Sequence, residues 1–421
     1  MKKLFTLLFG LIISILMVSA QVDTTGLSAW PQLYNSMSTW DEGSFNMNQK
    51  GHPDYGWGVY NSQNHNVDGD SIFVIKGLDG DYRALYISMK YSSENRYDFR
   101  YANLDFSNEI FEGAPCYNYT DKLFLYYDFA TNSIVDREPD IDSWDFVLTK
   151  YHENIINYPA VTGLLLNETA TACVYDAADS TMAFNAILAD TTSFSDSLTI
   201  IGNSWYELQG MSIVPLNNKA YFIKIANGAI FRLNVTYFES GYSGEGRVGI
   251  RYQQLSPEEG EAVNDTLTMG AMYANDVYFG LSNGTSTPAA RDNWDIAFKT
   301  NAFSASILTN TTMGVELYAY PKADETAWDT YGIEDKAVED ASLIVYPNPV
   351  SDVVYLRSDK FVSGKILDIS ILDITGREVM RTRRQADGEI SLDLGDLNSG
   401  SYLIKVTSAD YYGVTRIVKT N

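Results

Sequence analysis

Few residues of this 421-residue chain are of the types that carry out catalysis. It has three histidines, and His152 is followed by Glu153 but not by the second histidine that a zinc-peptidase motif needs four residues on. Gly-x-Ser-x-Gly elbows, phosphate-binding loops and dinucleotide glycine fingerprints are missing from the sequence. We therefore predict no catalytic residues and no metal centre, and we do not expect an enzyme.

Acidic residues are abundant, and two clusters of them offer the carboxylate oxygens that Ca²⁺ prefers. In one cluster, every second residue from Asp136 to Asp142 is acidic, and the other cluster is Asp68-Gly69-Asp70. Neither has the order of an EF-hand loop, so a solvated loop is the alternative interpretation. Paired carboxylates for glycoside hydrolysis also stay open, because a sequence does not show their separation in space.

The elements that would position such residues are strands. Stretches such as "KLFLYYDF" and "AYFIKIANGAIFRLNVTYF" alternate, are rich in Tyr, Phe, Ile and Val, and are interrupted by Gly or Asn turns. Only residues 180–188 and 194–202 have a helical pattern. The chain is therefore predicted to be all-β.

The N-terminus and the charge distribution indicate export. Lys2 and Lys3, an apolar run and Val-Ser-Ala before Gln21 have the order of a cleavable signal peptide. No other stretch has the roughly 20 apolar residues of a transmembrane segment. The formal charge is −24, and residues 343–421 are balanced, so the acidity belongs to residues 21–342. This acidity argues against nucleic acid and anionic lipid as partners.

Cys116 and Cys173 are the two cysteines. An even number in a chain that we expect to be exported suggests a disulfide between them. Two isolated thiols in an aromatic core are the alternative. Metal binding by this pair is disfavoured because no Cys-x-x-Cys spacing occurs.

The chain contains internal repeats. "DSWDFVLTK" from Asp142 recurs as "DNWDIAFKT" from Asp292, each between an aromatic strand and a Leu-rich strand, and we call this the front half. A back half recurs as "FVIKGLDGDYRALYI" from Phe73 and "FIKIANGAIFRLNVTYF" from Phe222. We expect the last front half to pair with the N-terminal segment, since a repeat leaves open edge strands. A shortened first front half at "WDEGSF" is the alternative.

Both front halves share a Trp-Asp pair, Trp144-Asp145 and Trp294-Asp295. The tryptophans are large enough to fill a sandwich core. The aspartates, on the opposite face, can accept hydrogen bonds from a neighbouring turn. We therefore expect a structural role for these four residues.

Three stretches carry a first resemblance: "SWDFVLTKYHENIINYPAVTGLLLN", "IGNSWYEL" and "KAYFIKIANGAIFRLNVTYF". They resemble the HmuY-like haem-binding family, exported β-rich proteins of Bacteroidota, over about residues 121–255. Haem-binding members hold iron with two His or Met side chains, so the resemblance implies haem as cofactor with His152 and Met182 as axial ligands. A hydrogen-bonded surface histidine is the alternative for His152, and the aromatic residues could also line a glycan site.

Three blocks near the C-terminus, "YPNPVSD", "LDITGREVMR" and "LDLGDLNSGSYLIKV", carry a second resemblance through their order and spacing. They resemble the type A sorting domain of the type IX secretion system, which implies export through that machinery. The prolines remove backbone donors, so the entering chain should be extended, and the glycines should supply the positive φ of hairpins. The motif residues are Tyr346, Pro347, Asn348, Pro349, Gly376, Arg377, Gly400 and Tyr402.

The predicted organisation follows from these patterns. Its segments are a signal peptide (1–20), an N-terminal β segment (21–118), an HmuY-like β domain (119–256), a partial β unit (257–332), a linker (333–342) and the sorting domain (343–421). We expect a secreted or cell-surface protein that binds haem or another small ligand. A surface adhesion or carbohydrate-contact scaffold without haem is the alternative.

Overall fold

The chain divides into two compact units, Met1–Gly332 and Ile333–Asn421, and each is described by itself. The predicted signal peptide, the first predicted helix, Met182 and the linker lie outside the residues that the structure describes. The computed structural model describes residues 22–153, 159–176, 193–210, 212–216, 218–320, 343–358, 361, 364, 366–373, 378–386, 388–395, 397–408 and 411–420.

Strands make up the first unit. They are β1 Gln32–Leu33, β2 Gly58–Tyr60, β3 Val67–Gly69, β4 Ile72–Lys76, β5 Tyr82–Tyr91, β6 Arg96–Asn103, β7 Ile110–Ala114, β8 Phe124–Asp128, β9 Ser133–Val135, β10 Phe146–Tyr151, β11 Val161–Leu166, β12 Thr171–Asp176, β13 Tyr206–Gln209, β14 Ser212–Pro215, β15 Lys219–Lys224, β16 Ile230–Glu239, β17 Arg247–Ser256, β18 Val263–Thr268, β19 Asn275–Gly280, β20 Thr285–Ala290, β21 Ile296–Lys299, β22 Ile307–Thr309 and β23 Glu316–Ala319.

The helices of the described residues are single 3-10 turns, so the all-β prediction is confirmed. No described helix is long and apolar enough to span a membrane. The second predicted helix, 194–202, is wrong: Ser195 and Gly202 form isolated bridges to Ala172 and Leu164, which take their backbone groups. The 3-10 turns are Leu27–Ala29, Ser44–Asn46, Cys116–Asn118, Ile141–Ser143, Ala271–Tyr273 and Thr311–Met313.

Four sheets of four or more strands build the described part of the first unit. Sheet A has the order β1-β23-β4-β5-β3-β2, with β6 beside β5 and β7 beside β6. Sheet B is β22-β21-β8-β9, sheet C is β11-β10-β19-β20, and sheet D is β12-β15-β16-β17-β18. Strands β13 and β14 form a separate hairpin. The last described strand of this unit, β23, lies between β1 and β4, so the final repeat piece pairs with the N-terminal segment.

Sheets B and C are built by a reciprocal exchange between the two front halves. The hairpin β8-β9 of the first copy pairs with β21-β22 of the second, with Tyr127 opposite Ile296. The hairpin β10-β11 of the first copy pairs with β19-β20 of the second, with Phe146 opposite Phe279. The predicted segment 119–256 is therefore divided between two sandwiches and is not one domain, because its strands find their partners in the other copy.

Each exchanged sheet packs on a back-half sheet to form a sandwich. In the first, Phe73 and Phe99 of sheet A share a core with Leu125 and Phe298 of sheet B. Sheets C and D form the second in the same way. Alternation along a strand supplies each inward face, since successive side chains point to opposite sides.

The other faces of sheets B and C pack against each other. Phe124 and Tyr126 of β8 belong to this third core, whereas Leu125 and Tyr127 of the same strand face sheet A. Trp144 of the first copy is part of it. Both faces of the two inner sheets are thus covered, which explains why β8 is buried at all five positions.

The aspartates of the Trp-Asp pairs lie where the exchanged hairpins meet. Asp145 accepts a hydrogen bond from the Leu281 N–H at 2.7 Å. Asp295 accepts from the N–H groups of Phe129 and Leu78, both at 2.7 Å. Burial raises the pKa of each aspartate to about 6. The aspartates therefore accept hydrogen bonds from turns. The turns of Leu281 and Phe129 belong to the other copy of the front half, whereas that of Leu78 belongs to the back half after β4.

The predicted disulfide between Cys116 and Cys173 is wrong. Both are free and buried. Cys116 belongs to the core between sheets A and B, whereas Cys173 packs with Ala220 and Phe222 in another cluster. The predicted disulfide is therefore not formed, and the alternative of two isolated thiols holds.

The second unit is a small sandwich of a three-stranded sheet, β24-β25-β28, and a four-stranded sheet, β27-β26-β29-β30. Its core includes Val354, Ile369, Ile404 and Val406. Its strands are β24 Ile344–Tyr346, β25 Val353–Arg357, β26 Ile366–Asp373, β27 Glu378–Gln385, β28 Glu389–Asp393, β29 Gly400–Ser408 and β30 Tyr411–Lys419.

The Pro-Asn-Pro segment is hydrogen-bonded to β30 through Asn348. The Asn348 amide donates to the Arg416 carbonyl and accepts from the Val418 N–H, both at 2.9 Å. Val350 then bridges Lys419 in parallel. With Pro347 and Pro349 unable to donate, the Asn348 side chain takes over the bonds that a paired strand would make.

The other residues of the predicted sorting motif differ in what the structure shows for them. Tyr346 stacks on Tyr355, and the Tyr402 hydroxyl donates to the Asn398 carbonyl at 2.8 Å. Gly400 begins β29 opposite Lys419 without a positive φ, so the hairpin role expected for it is wrong. Gly376 and Arg377 lie outside the described residues.

Candidate functional site

A cavity of about 120 Å³ lies where sheets B and C face each other. It is lined by strands of both exchanged hairpins and by residues of the segment Asn35–Trp40, which lies between β1 and β2. Residues from both copies of the front half therefore meet in one site, which only the exchange makes possible.

Two aromatic pairs with the same geometry line this cavity. Trp144 lies edge-on to Tyr278 with ring centroids 4.9 Å apart, and Trp294 lies edge-on to Tyr126 at 5.0 Å. Each pair joins a tryptophan of one copy to a tyrosine of the other. The indole N–H groups of both tryptophans are buried and have no hydrogen-bond partner among the described residues.

A buried ion-pair network lies beside the aromatic pairs. Asp276 accepts from Arg137 at 2.7 Å, lies 3.2 Å from the Arg291 Nε, and also accepts from the Thr149 hydroxyl at 2.6 Å. The Arg137 guanidinium stacks over the Tyr126 ring at 4.9 Å. Burial lowers the pKa of Arg291, and the neighbouring Arg137 adds to this. One carboxylate is thus shared by two guanidinium groups.

Glu138 lines the cavity but is held by its own neighbours. Its carboxylate accepts hydrogen bonds from the N–H groups of Leu123 and Phe124 at 2.7 and 3.3 Å and from the Tyr126 hydroxyl at 2.8 Å. Burial raises the pKa of Glu138 to about 7. Its side chain therefore carries less negative charge near neutral pH than an exposed glutamate does.

Lys150 also lines the cavity. Its Nζ donates to the Thr162 hydroxyl at 3.2 Å and lies 4.6 Å from the centre of the Tyr273 ring. Burial lowers the pKa of Lys150 to about 8, and Arg291 contributes to the lowering. Among the described residues Lys150 has no carboxylate partner.

Only one of the two predicted axial ligands, His152, lies among the described residues. His152 lines the cavity and is half-buried, whereas Met182 lies outside the described residues. The other histidines, His52 and His65, lie around Tyr60, away from this site. The structure therefore places one candidate at the cavity and leaves the pair untested.

The acidic clusters do not converge on a cation site. Glu138 points into backbone N–H groups, and Asp140 pairs with Lys122 at 2.7 Å. Within the described part of the chain, no group of three or more His, Cys, Asp or Glu side chains could hold a metal ion.

Sequence reasoning missed Tyr126, Arg137, Asp276, Tyr278 and Arg291. Tyr126 and Tyr278 occupy matching positions in the aromatic strands of the two front halves, a signal that was available. The charged residues have no counterpart in the other copy, so only the folded chain brings them together.

Comparison with known proteins identifies the C-terminal part of the chain. Residues 344–420 match the family model described as "Secretion system C-terminal sorting domain". The protein is therefore exported by type IX secretion to the cell surface or the extracellular space. This confirms the localisation and the sorting domain predicted from the three sequence blocks.

The remaining comparisons say little about the first unit. No curated protein matches the chain. Among solved structures, a dimeric latent PorU from Porphyromonas gingivalis is 10% identical with a TM-score of 0.16, over 80% of this chain and 24% of the other. A "Biofilm associated protein - BSP domain" is 8% identical with a TM-score of 0.18, over 78% and 61%. This chain thus spans less than two thirds of either structure.

Proposed function

We propose that this exported protein is a binding protein that holds a small ligand in the cavity between sheets B and C. The observation that carries the proposal is the pair of matching aromatic contacts, Trp144 with Tyr278 and Trp294 with Tyr126, around one cavity that also holds buried charges. Ligand sites typically combine an apolar, aromatic lining with a few polar groups in this way.

We propose that the protein acts by binding and not by catalysis. Two carboxylates of the described residues line the cavity, and both are already engaged: Asp276 with two arginines and Glu138 with three hydrogen-bond donors. A general acid or base needs a proton-transfer path to the substrate, and neither group is free to supply one.

Haem, which the HmuY resemblance implies, stays a prediction. The position of His152 at the cavity supports it, but the volume of about 120 Å³ does not. An engineered cavity of about 150 Å³ accommodates benzene, so a macrocycle needs the two sheets to move apart. A Soret shift on adding haemin, lost in His152→Ala, would support haem, and the absence of any shift would exclude it.

A thermal-shift screen of a small-molecule library against the mature protein tests the broader proposal. Leu308→Trp should fill the cavity that Leu308 lines and abolish the stabilisation given by a bound compound. Val263→Trp, at an exposed site on sheet D, is the matched control and should leave binding unchanged. A library without a stabilising compound, or a stabilisation that survives Leu308→Trp, would contradict the proposal.

An exposed apolar patch favours the second candidate, a surface-contact protein. Tyr242 and Met272 are 69% and 65% exposed, and the Met272 N–H donates to the Gly241 carbonyl at 2.8 Å, so their loops adjoin. Adjoining exposed apolar side chains mark contact sites more often than scattered ones do. Binding to a glycan array that Tyr242→Ala abolishes would support this function, and an unchanged array profile would oppose it.

A further inference from the structure

The charges around the cavity do not balance. Arg137 and Arg291 share the single carboxylate of Asp276, and Lys150 has no carboxylate partner among the described residues. The Glu138 carboxylate accepts hydrogen bonds from neutral N–H and O–H donors and does not pair with a cation in the described part of the chain. Among the described residues, the lining therefore carries an excess of positive charge, although the whole chain carries a formal charge of −24.

Such an excess is costly in a site that is largely out of water. A cation that loses its hydration without gaining a counter-ion is destabilised, and its pKa falls, as the pKa of Lys150 does to about 8. An anionic group entering the cavity would offset this cost with charge-assisted hydrogen bonds, which are stronger than neutral ones.

The remaining lining suits a ring. Trp40 and Trp294 are only half-buried, so part of their surface is available in the cavity that they line. Aromatic faces stack on flat or weakly polar rings. The cavity volume of about 120 Å³ is close to that of an engineered cavity of about 150 Å³ that binds benzene.

We infer that the ligand is a small carboxylate carried on one six-membered ring, a deepening that rests on the proposed binding function. The carboxylate lies near Lys150 and the arginine pair, and the ring packs against the tryptophans. An aromatic acid and a sugar acid share this chemistry, and the binding test below separates them.

Isothermal titration of the mature protein with two matched probe pairs tests the inference. The pairs are benzoate against benzamide and glucuronate against glucose. We expect one carboxylate to bind at least tenfold more tightly than its neutral partner, and the pair that shows the difference identifies the source of the ring. Equal affinity within both pairs, or no binding of either carboxylate, would overturn the inference.

Lys150→Met tests the contribution of the Lys150 charge, since methionine is one heavy atom shorter than lysine, similarly flexible and uncharged. We expect a roughly tenfold loss of affinity for the carboxylate and little change for the neutral probe. Lys224→Met, an exposed lysine on sheet D, changes the net charge equally and should leave both affinities unchanged. A carboxylate affinity that survives Lys150→Met, with the fold intact by circular dichroism, would also overturn the inference.

The two proposals fail differently. A neutral compound that binds, and whose binding Leu308→Trp abolishes, would leave the binding function standing and remove the carboxylate. A protein that binds neither these probes nor any library compound would remove both.

Discussion

The carboxylate of Asp295 accepts a hydrogen bond of 2.7 Å from the backbone N–H of Phe129, 166 residues earlier in the chain. Asp145 makes the corresponding bond to Leu281, 136 residues later. Each aspartate thus joins the hairpin of its own copy to the hairpin that the other copy contributes. The repeated Trp-Asp pair therefore marks the place where the two copies exchange strands, and its tryptophans line the cavity that results.

Substitution by asparagine should destabilise the protein more at Asp295 than at Asp145. Asp295 accepts two backbone N–H groups, one on each oxygen, whereas Asp145 accepts one. An Asn side chain has a single acceptor oxygen, so Asp295→Asn leaves an N–H facing an NH₂ group. We expect urea unfolding to show a loss about 1–3 kcal/mol larger for Asp295→Asn than for Asp145→Asn. Equal losses would mean that the second bond contributes nothing.

Two buried tryptophans offer a second matched pair. The Trp57 indole donates to the Ala305 carbonyl at 2.9 Å, whereas that of Trp205 has no partner among the described residues. Substitution by Phe removes similar volume from each core but a hydrogen bond from only one. Trp57→Phe should therefore lower the free energy of unfolding by about 1 kcal/mol more than Trp205→Phe. The reverse order in urea unfolding would contradict this.

Glu138 should make stability depend on pH. Burial raises its pKa from 4.5 to about 7, so the folded protein keeps a proton that the unfolded chain releases. This stabilisation is fully present below about pH 4.5 and is lost as the pH rises to about 7. The free energy of unfolding of the wild type relative to Glu138→Gln should therefore fall, by on the order of 3 kcal/mol, between these limits.

Urea titrations at several pH values measure this difference. Glu258→Gln, at an exposed position, is the control and should show no such change. A difference that grows with rising pH would show that the folded protein stabilises the charged form of Glu138.

The Pro-Asn-Pro segment gives a prediction for export. Asn348→Ala removes both bonds to β30, which together contribute on the order of 2 kcal/mol. We expect less protein at the cell surface or in the medium and more in the periplasm, with deletion of residues 343–421 as the complete block. Asn398→Ala, at an exposed site, should be exported normally. Normal export of the deletion variant would refute the sorting role.

The thiols should be present and unreactive. Burial raises the pKa of Cys116 to about 12 and also raises that of Cys173, so little thiolate forms near neutral pH. Iodoacetamide should label neither cysteine in the native protein and both after unfolding without reductant, as read by mass spectrometry. A mass lower by two hydrogen atoms, with no labelling after unfolding, would restore the disulfide hypothesis.

Local patterns were enough for some features because their causes are local. Alternation in "KLFLYYDF" predicted a strand, and β8 covers Phe124–Asp128. The blocks around Asn348 predicted the sorting domain, since turn chemistry and proline act over a few residues. The segment 194–202 misled because its backbone pairs with Ala172 and Leu164, distant residues that no local pattern contains.

The sequence by itself determined that this protein is all-β, that it contains two copies of a Trp-Asp unit, and that a type IX sorting domain exports it. Only the tertiary structure decided which copy pairs with which, and hence that Arg137 meets Asp276 and Trp144 meets Tyr278. Two similar hairpins present almost the same pairing edge, so their sequences do not distinguish pairing within a copy from exchange between copies. The packing of whole sheets, which buries both faces of sheets B and C, selects the exchange and creates the cavity.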